Sequence, residues 1–284
     1  HVDHGKTTLV DQLLKQSGTF RENEQVAERA MDSNDIERER GITILAKNTA
    51  VQYKDTRINI LDTPGHADFG GEVERIKKMV DGVVLVVDAY EGCMPQTRFV
   101  LKKALEQKIT PIVVVNKIDR DFARPEEVVD EVIDLFIELD ATEDQLEFPV
   151  VYASGLRGVA GPSPEELAED MTPLFQTIVD IVEPPKVDVD GPFQMQVSSL
   201  DYNSCVGVSG IGRIQRGSVK LNTQVTVVDK DGKTRNGRIL KIMGYHGLDR
   251  VDVESAQAGD IVCITGIDAL NISDTICDPK AVEA

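Results

Sequence analysis

Two textures of apolar and polar residues divide this chain. Up to about residue 182, apolar residues come either in short continuous runs or at helical spacing. Leu9, Val10, Leu13 and Leu14 place one apolar stripe on a helix over Thr7–Lys15. Arg57–Leu61 reads as a short strand. Gly82–Val87, Ile112–Val115 and Val150–Ala153 read as strands, the first two as continuous apolar runs suited to burial on both faces of a sheet. Helices are expected over Thr97–Glu106 and Pro125–Leu139, the second with Val128, Val132, Leu135, Phe136 and Leu139 on one face. Thr172 is expected to cap a last helix, with Pro173 in its first turn and its end near Val182. Strands alternating with helices predict a doubly wound α/β domain around a mostly parallel sheet.

Glu183-Pro184-Pro185-Lys186 breaks that pattern, and the stretch after it is acidic and turn-rich. The first domain is therefore set at residues 1–187 and the second at 191–280. Phe193–Leu200, Gly207–Ile214, Gln224–Val228, Arg235–Met243 and Asp260–Thr265 read as short strands punctuated by glycine turns. Strands of that length and spacing predict a small antiparallel β-barrel.

With 284 residues the chain can bury a sizeable core. Its net charge of −18 is uneven: residues 191–284 hold 10 basic and 11 acidic side chains, so the first 190 carry −17. Such an acidic half is not drawn to nucleic acid in bulk, and no DNA partner is expected. No apolar run is long enough for a membrane-spanning helix, and no membrane partner is expected. Cys93, Cys205, Cys263 and Cys277 form no metal-ligand pattern and suit a reducing cytoplasm.

Four segments carry chemistry. His1-Val2-Asp3-His4-Gly5-Lys6-Thr7-Thr8 matches all but the first residue of the phosphate loop GxxxxGK[ST]. Gly5 lets the backbone approach a phosphate, the loop amides and the following helix N-terminus point at it, Lys6 bridges phosphate oxygens, and the Thr7 hydroxyl suits Mg2+. Asp62-Thr63-Pro64-Gly65-His66 follows a strand. There Asp62 can reach Mg2+ through water, and Gly65 can offer its N–H to a γ-phosphate. Asn116-Lys117-Ile118-Asp119 ends a buried strand, and the Asp119 carboxylate can accept the two N–H donors that guanine has and adenine lacks. Ser154-Gly155-Leu156 ends the next strand, where a backbone N–H can meet the guanine oxygen. In the fourth, Arg40-Gly41-Ile42-Thr43, Thr43 lies in a charged segment that can order around γ-phosphate and Mg2+. Residues 213–241 hold eight Lys or Arg against two Asp, a local net of +6 that suits contact with RNA phosphates or, equally, a solvated strand face.

Together the four motifs resemble the translational GTPases, the superfamily of elongation factors Tu and G. Met31-Asp32-Ser33-Asn34-Asp35, Gly70-Gly71-Glu72-Val73-Glu74-Arg75, Leu200-Asp201-Tyr202-Asn203 and Asn271-Ile272-Ser273-Asp274-Thr275 resemble its TypA/BipA subfamily. The resemblance covers essentially the whole chain. It implies a P-loop GTPase domain followed by a β-barrel, binding of GTP and GDP with Mg2+, and ribosome-stimulated hydrolysis by a monomeric cytoplasmic protein. It further implies that His66 positions the attacking water beside an apolar gate of Val2 and Ile42. A LepA-like factor, the GTPase subunit of a sulfate-activating enzyme, and a nucleotide-gated ribosome-binding module remain the alternatives. Two features depart from the pattern: Gly155 stands where the family usually has Ala, and the strand that feeds the phosphate loop is not in the sequence. The chain is therefore expected to be a fragment and a poor GTPase by itself.

Overall fold

The computed structural model describes residues 3–17, 47–62, 79–203 and 207–284. The chain divides into two compact units, His1–Pro184 and Pro185–Ala284. In the first, strands β3 (Val84–Asp88), β4 (Ile112–Asn116) and β5 (Val150–Ser154) run parallel, and β6 (Val159–Gly161) turns back antiparallel on β5. Every residue of β4 is buried, as its unbroken apolar run requires of a strand covered on both faces.

Helices α2 (Pro95–Glu106) and α3 (Pro125–Glu138) cover one face of this sheet. Their Leu101, Leu105, Val128, Val132 and Phe136 meet Leu85, Val87, Val113 and Val115 from the strands. Phe136 stacks on Phe148 with ring centroids 4.2 Å apart. Helix α4 (Thr172–Ile181) packs on β4, β5 and β6, burying Leu174 and Phe175. The Phe175 ring stacks on Tyr53 of β1 (Lys47–Tyr53), which pairs with β2 (Thr56–Asp62) as an antiparallel hairpin. Helix α1 (Lys6–Gln16) buries Leu9, Val10, Leu13 and Leu14. Its Gln16 side chain donates to Gly158 O at 2.8 Å and accepts from the Met171 N–H at 2.6 Å, which pins the helix end to the sheet.

Four local expectations need correction, the first being Phe193–Leu200, which is not one strand but parts of two, Gln194–Gln196 and Ser199–Asn203. Pro95, not Thr97, opens α2, because proline suits the first turn of a helix, where its missing N–H has no acceptor to lose. Thr172 is the first helical residue of α4 and no cap; its own N–H bonds to the Asp170 carboxylate at 3.0 Å. The single strand expected over Arg235–Met243 is two, β12 (Thr234–Arg238) and β13 (Lys241–His246). The chain changes partners between them: Ile239 N–H bonds to Thr223 O, whereas Leu240 N–H bonds to Thr265 O.

That change of partner closes the second unit. Its strands follow the order β12-β11-β17-β7-β9-β16-β13-β14, with β8 also on β9. Here β7 is Gln194–Gln196, β8 Ser199–Asn203, β9 Gly207–Arg216, β11 Gln224–Val228, β14 Asp249–Val253, β16 Ile261–Thr265 and β17 Thr275–Cys277. Since β12 runs straight into β13, the pairings wrap into a barrel filled by Met195, Ile214, Val227, Ile239, Ile242, Ile264 and Ile276. The two short strands β10 (Ser218–Lys220) and β15 (Ser255–Gln257) pair separately.

The barrel bends tightly where β7 crosses β9 beside a register shift at Gln194 and Met195. A Cβ at Gly212 would lie 2.2 Å from the Gln196 carbonyl oxygen, a backbone atom with no room to yield. At Gly244 the nearest atom is Val253 Cγ1 at 3.7 Å, an ordinary contact. We expect Gly212→Ala to destabilise the barrel by about 2 kcal/mol or more through overpacking, and Gly244→Ala to change it by less than about 1 kcal/mol. Urea melts of the two variants check this; equal midpoints would contradict the close crossing.

Candidate nucleotide-binding site

The carboxyl ends of the parallel strands gather Asn116, Lys117, Asp119, Ser154, Gly155 and Leu156 from the residues singled out in the sequence. This is where ligands bind in open α/β sheets, because the loops that leave the strands diverge there. The register aligns Asp88 at the end of β3 with Asn116 at the end of β4, and β5 ends beside them at Ser154.

Asp3 to Gly5 form the turn into α1, and Lys6, Thr7 and Thr8 open the helix. Gly5 is the N-cap of that helix in the left-handed region, with φ at 89°. A side chain is doubly excluded there, since its Cβ would sit 2.4 Å from Asn116 Nδ2. The Leu9 N–H bonds to Gly5 O at 3.0 Å, so the helix begins directly at the loop. No acidic residue occupies the first turn of α1, which leaves its positive dipole end to an anion.

Asn116 is buried and spends its amide on two loops. Its Nδ2 donates to His4 O at 2.9 Å, and its Oδ1 accepts from the Gly155 N–H at 2.9 Å. Lys117 follows in the left-handed region, with φ at 62°, and its ammonium donates to the Asp3 carbonyl. Asp119 and Leu156 are exposed on their two loops, while Ser154 and Gly155 are buried. The Ser154 hydroxyl oxygen accepts from the Arg157 N–H at 3.2 Å, tightening the turn that presents Gly155 and Leu156.

Thr7 and Asp62 are both buried, and the Thr7 hydroxyl donates to Asp62 Oδ2 at 3.2 Å. Such a pair could hold Mg2+ with the Thr7 hydroxyl oxygen as a ligand and the Asp62 carboxylate accepting from a water on the ion. Thr43, Gly65, His66, Val2 and Ile42 lie outside the described residues.

Sequence reasoning missed the loop after β3. Asp88 N–H donates to His4 Nδ1 at 3.2 Å, which leaves the ring proton on Nε2, 3.0 Å from Glu91 Oε2. His4 is thus buried and held from two sides. Arg124 secures the same loop, donating from Nε to Tyr90 O at 2.8 Å and pairing with Glu131 at 2.7 Å. The signal was there to read: Asp88 ends a buried apolar run just as Asn116 does. Burial alone would raise the Asp88 pKa, but N–H donors from Tyr90 and Glu91 and the Lys117 charge outweigh it and hold the carboxyl below its ordinary value. Nearby, burial, aided by Glu131, pushes the Cys93 thiol up to about 12.

On the barrel, much of the basic stretch is already engaged. Arg216 pairs with Glu283 at 3.2 Å, Arg235 with Asp274 at 3.3 Å and Lys241 with Asp252 at 3.5 Å. Arg238 donates to Asn222 O at 2.8 Å. The side chains of Lys220, Lys230 and Lys233 are exposed, and their ammonium groups have no hydrogen-bond or ion-pair partner among the described residues.

Known proteins match this arrangement. The model of the elongation factor Tu GTP-binding domain matches residues 1–184. The chain belongs to that family. The model of elongation factor Tu domain 2 matches residues 207–277. The large ribosomal subunit assembly factor BipA of Bacillus subtilis (strain 168) is 68% identical over 277 residues, covering 98% of this chain and 45% of the relative. That of Escherichia coli (strain K12) is 66% identical over 284 residues, covering 100% of this chain and 47% of the relative. The chain thus spans just under half the length of these relatives. The structure of elongation factor SelB from Methanococcus maripaludis, in complex with the GTP analogue GppNHp, superposes with a TM-score of 0.72. It is 22% identical and covers 99% of this chain and 54% of that one, a likeness of fold. The fold is accordingly a P-loop GTPase domain followed by an antiparallel β-barrel.

Gly155 can be tested directly. A Cβ there would meet Leu9 Cγ at 3.4 Å, an ordinary contact, and the backbone is not left-handed. We expect Gly155→Ala to stabilise the first unit by about 0.4–1 kcal/mol, chiefly by restricting the unfolded chain. Differential scanning calorimetry would then show its transition rising by about 1–4 °C. A lower transition would mean that the loop cannot accept the methyl group.

Proposed function

We propose that the protein hydrolyses GTP to GDP and phosphate on the ribosome, as a conformational switch in translation or ribosome assembly. The observation that carries this reading is the double use of Asn116, whose one amide ties the loop at His4 to the loop at Gly155. A site braced in this way suits a ligand with phosphates at one end and a base at the other. The two relatives are named as large ribosomal subunit assembly factors, and we assign this chain the same kind of step.

In this reading residues 1–187 bind the nucleotide and residues 191–280 form the barrel that meets the ribosome. The amides of Asp3 to Thr8 cradle the phosphates, and Lys6 bridges their oxygens. Thr7 and Thr43, with Asp62 through water, would hold Mg2+, and the ion would supply positive charge beside the phosphates. Gly65 donates its N–H to the γ-phosphate. Asp119 accepts from guanine while Ser154, Gly155 and Leu156 frame the base oxygen. His66 orients a water in line with the γ-phosphorus; the new P–O bond forms as the bond to the β-phosphate oxygen breaks. Val2 and Ile42 gate that histidine. The protein acts as a monomer in the cytoplasm.

Two measurements test these assignments in the full-length protein. Asp119→Asn should weaken GDP binding by about two orders of magnitude and improve XDP binding, because the amide donates where the carboxylate accepted. Unchanged GDP affinity in calorimetry would refute the base-reading role. For the barrel, Lys220, Lys230 and Lys233 are better candidates for RNA contact than the paired arginines. Reversing the three to Glu should flatten the salt dependence of ribosome binding by about 2 in log–log slope and leave GDP affinity alone, since each phosphate contact adds somewhat under one. Identical co-sedimentation across a salt series would leave them a solvated face.

A further inference from the structure

The loop Asp88–Gly92 has no role in the assignments above, yet it touches both halves of the site. Asp88 is fully buried, and its two carboxylate oxygens do different things. Oδ1 accepts from the Tyr90 N–H at 2.7 Å and the Glu91 N–H at 3.0 Å, which shapes its own turn. Oδ2 faces outward from that turn, 3.4 Å from Lys117 Nζ and 3.4 Å from Arg120.

Lys117 is the residue that needs holding. Its backbone is left-handed, as is that of Asp3, whose carbonyl it bonds. Non-glycine residues pay a steric penalty in that region and stay there only when their surroundings fix them. A buried carboxylate is such a fixture. Taken out of water, it costs free energy unless cations and N–H donors surround it, so Asp88 and Lys117 hold each other.

We infer that Asp88 is a positioning residue for guanine nucleotide: through Oδ2 it keeps Lys117 bonded to the phosphate-loop carbonyl of Asp3, presetting the gap between phosphate loop and base loop. The inference rests on the nucleotide reading given above. Asp88 touches no nucleotide itself. Its effect falls on how long a bound nucleotide stays, because the two loops must part for the ligand to leave.

The different tasks of the two oxygens supply the test. In Asp88→Asn the amide oxygen still accepts from Tyr90 and Glu91, but the amide nitrogen now presents donors to Lys117 and Arg120. Release of fluorescently labelled GDP is followed in the full-length protein, chased with excess GDP, alongside thermal melts. Asp88→Asn should release GDP about tenfold faster or more, as expected for loss of a charged hydrogen bond. Lys117→Met should do the same, and the double variant should be no faster than Lys117→Met alone. Arg120→Ala should release GDP at the wild-type rate, since Arg120 has no bond to Asp3–Thr8 among the described residues.

Wild-type release from Asp88→Asn would overturn the inference. So would effects that multiply in the double variant, because Asp88 would then act by another route. Loss of cooperative melting in Asp88→Asn would make Asp88 a folding residue and also overturn it. A wild-type protein that binds no GDP would overturn the nucleotide reading itself, and this inference with it.

Discussion

One buried amide holds the candidate site together. Asn116 gives its N–H to the phosphate loop and takes an N–H from the loop after β5, each at 2.9 Å. Both bonds are out of water, where an unmade bond costs more than a made one gains. Neither loop can shift without stranding a polar group. The requirement reaches back into the sequence, for position 5 must be glycine to leave space for Asn116 Nδ2. It reaches into the sheet as well, because Asn116 is aimed by β4, buried along its whole length.

Around that amide the charges are arranged in layers. Glu91 and the Asp88 N–H fix the His4 ring, and Asp88 faces Lys117, which bonds Asp3. Arg124 fastens the Tyr90–Glu91 backbone to α3 through Glu131. The phosphate loop is therefore shaped by groups from β3, β4 and their following loops, before any ligand is considered. Preorganisation of this kind lowers the ordering that a ligand must impose when it binds.

What was legible in the sequence was local. The phosphate loop and Asn116–Asp119 carry their motifs within a few residues, and the second sits where a strand ends, so both could be read from the sequence as candidates. The glycine-punctuated barrel was legible as a class of fold. Asp88 and Glu91 were not read, because their partners His4 and Lys117 lie far along the chain and only the register of β3 with β4 brings them near. Strand β1 was missed because its residues mix polar and apolar types, with Thr49, Ala50 and Val51 buried in succession. The Arg235–Met243 run looked like one strand because a change of hydrogen-bond partner at a barrel corner leaves the apolar pattern unbroken. The basic residues of that region were legible as charge; that four of them are occupied within the barrel depended on Glu283, Asp274, Asp252 and Asn222 O.

The loop geometry sets the Asp3–Gly5 turn and the loop that carries Asp119 on one braced frame, and the chain belongs to the family of the elongation factor Tu GTP-binding domain. The most direct measurement is nucleotide turnover by the full-length protein, with and without ribosomes, for GTP and for ATP. The account predicts slow GTP hydrolysis alone, a rise of orders of magnitude with ribosomes, and no matching rise with ATP. Ribosomes that leave GTP turnover unchanged, or that stimulate ATP turnover equally, would contradict it.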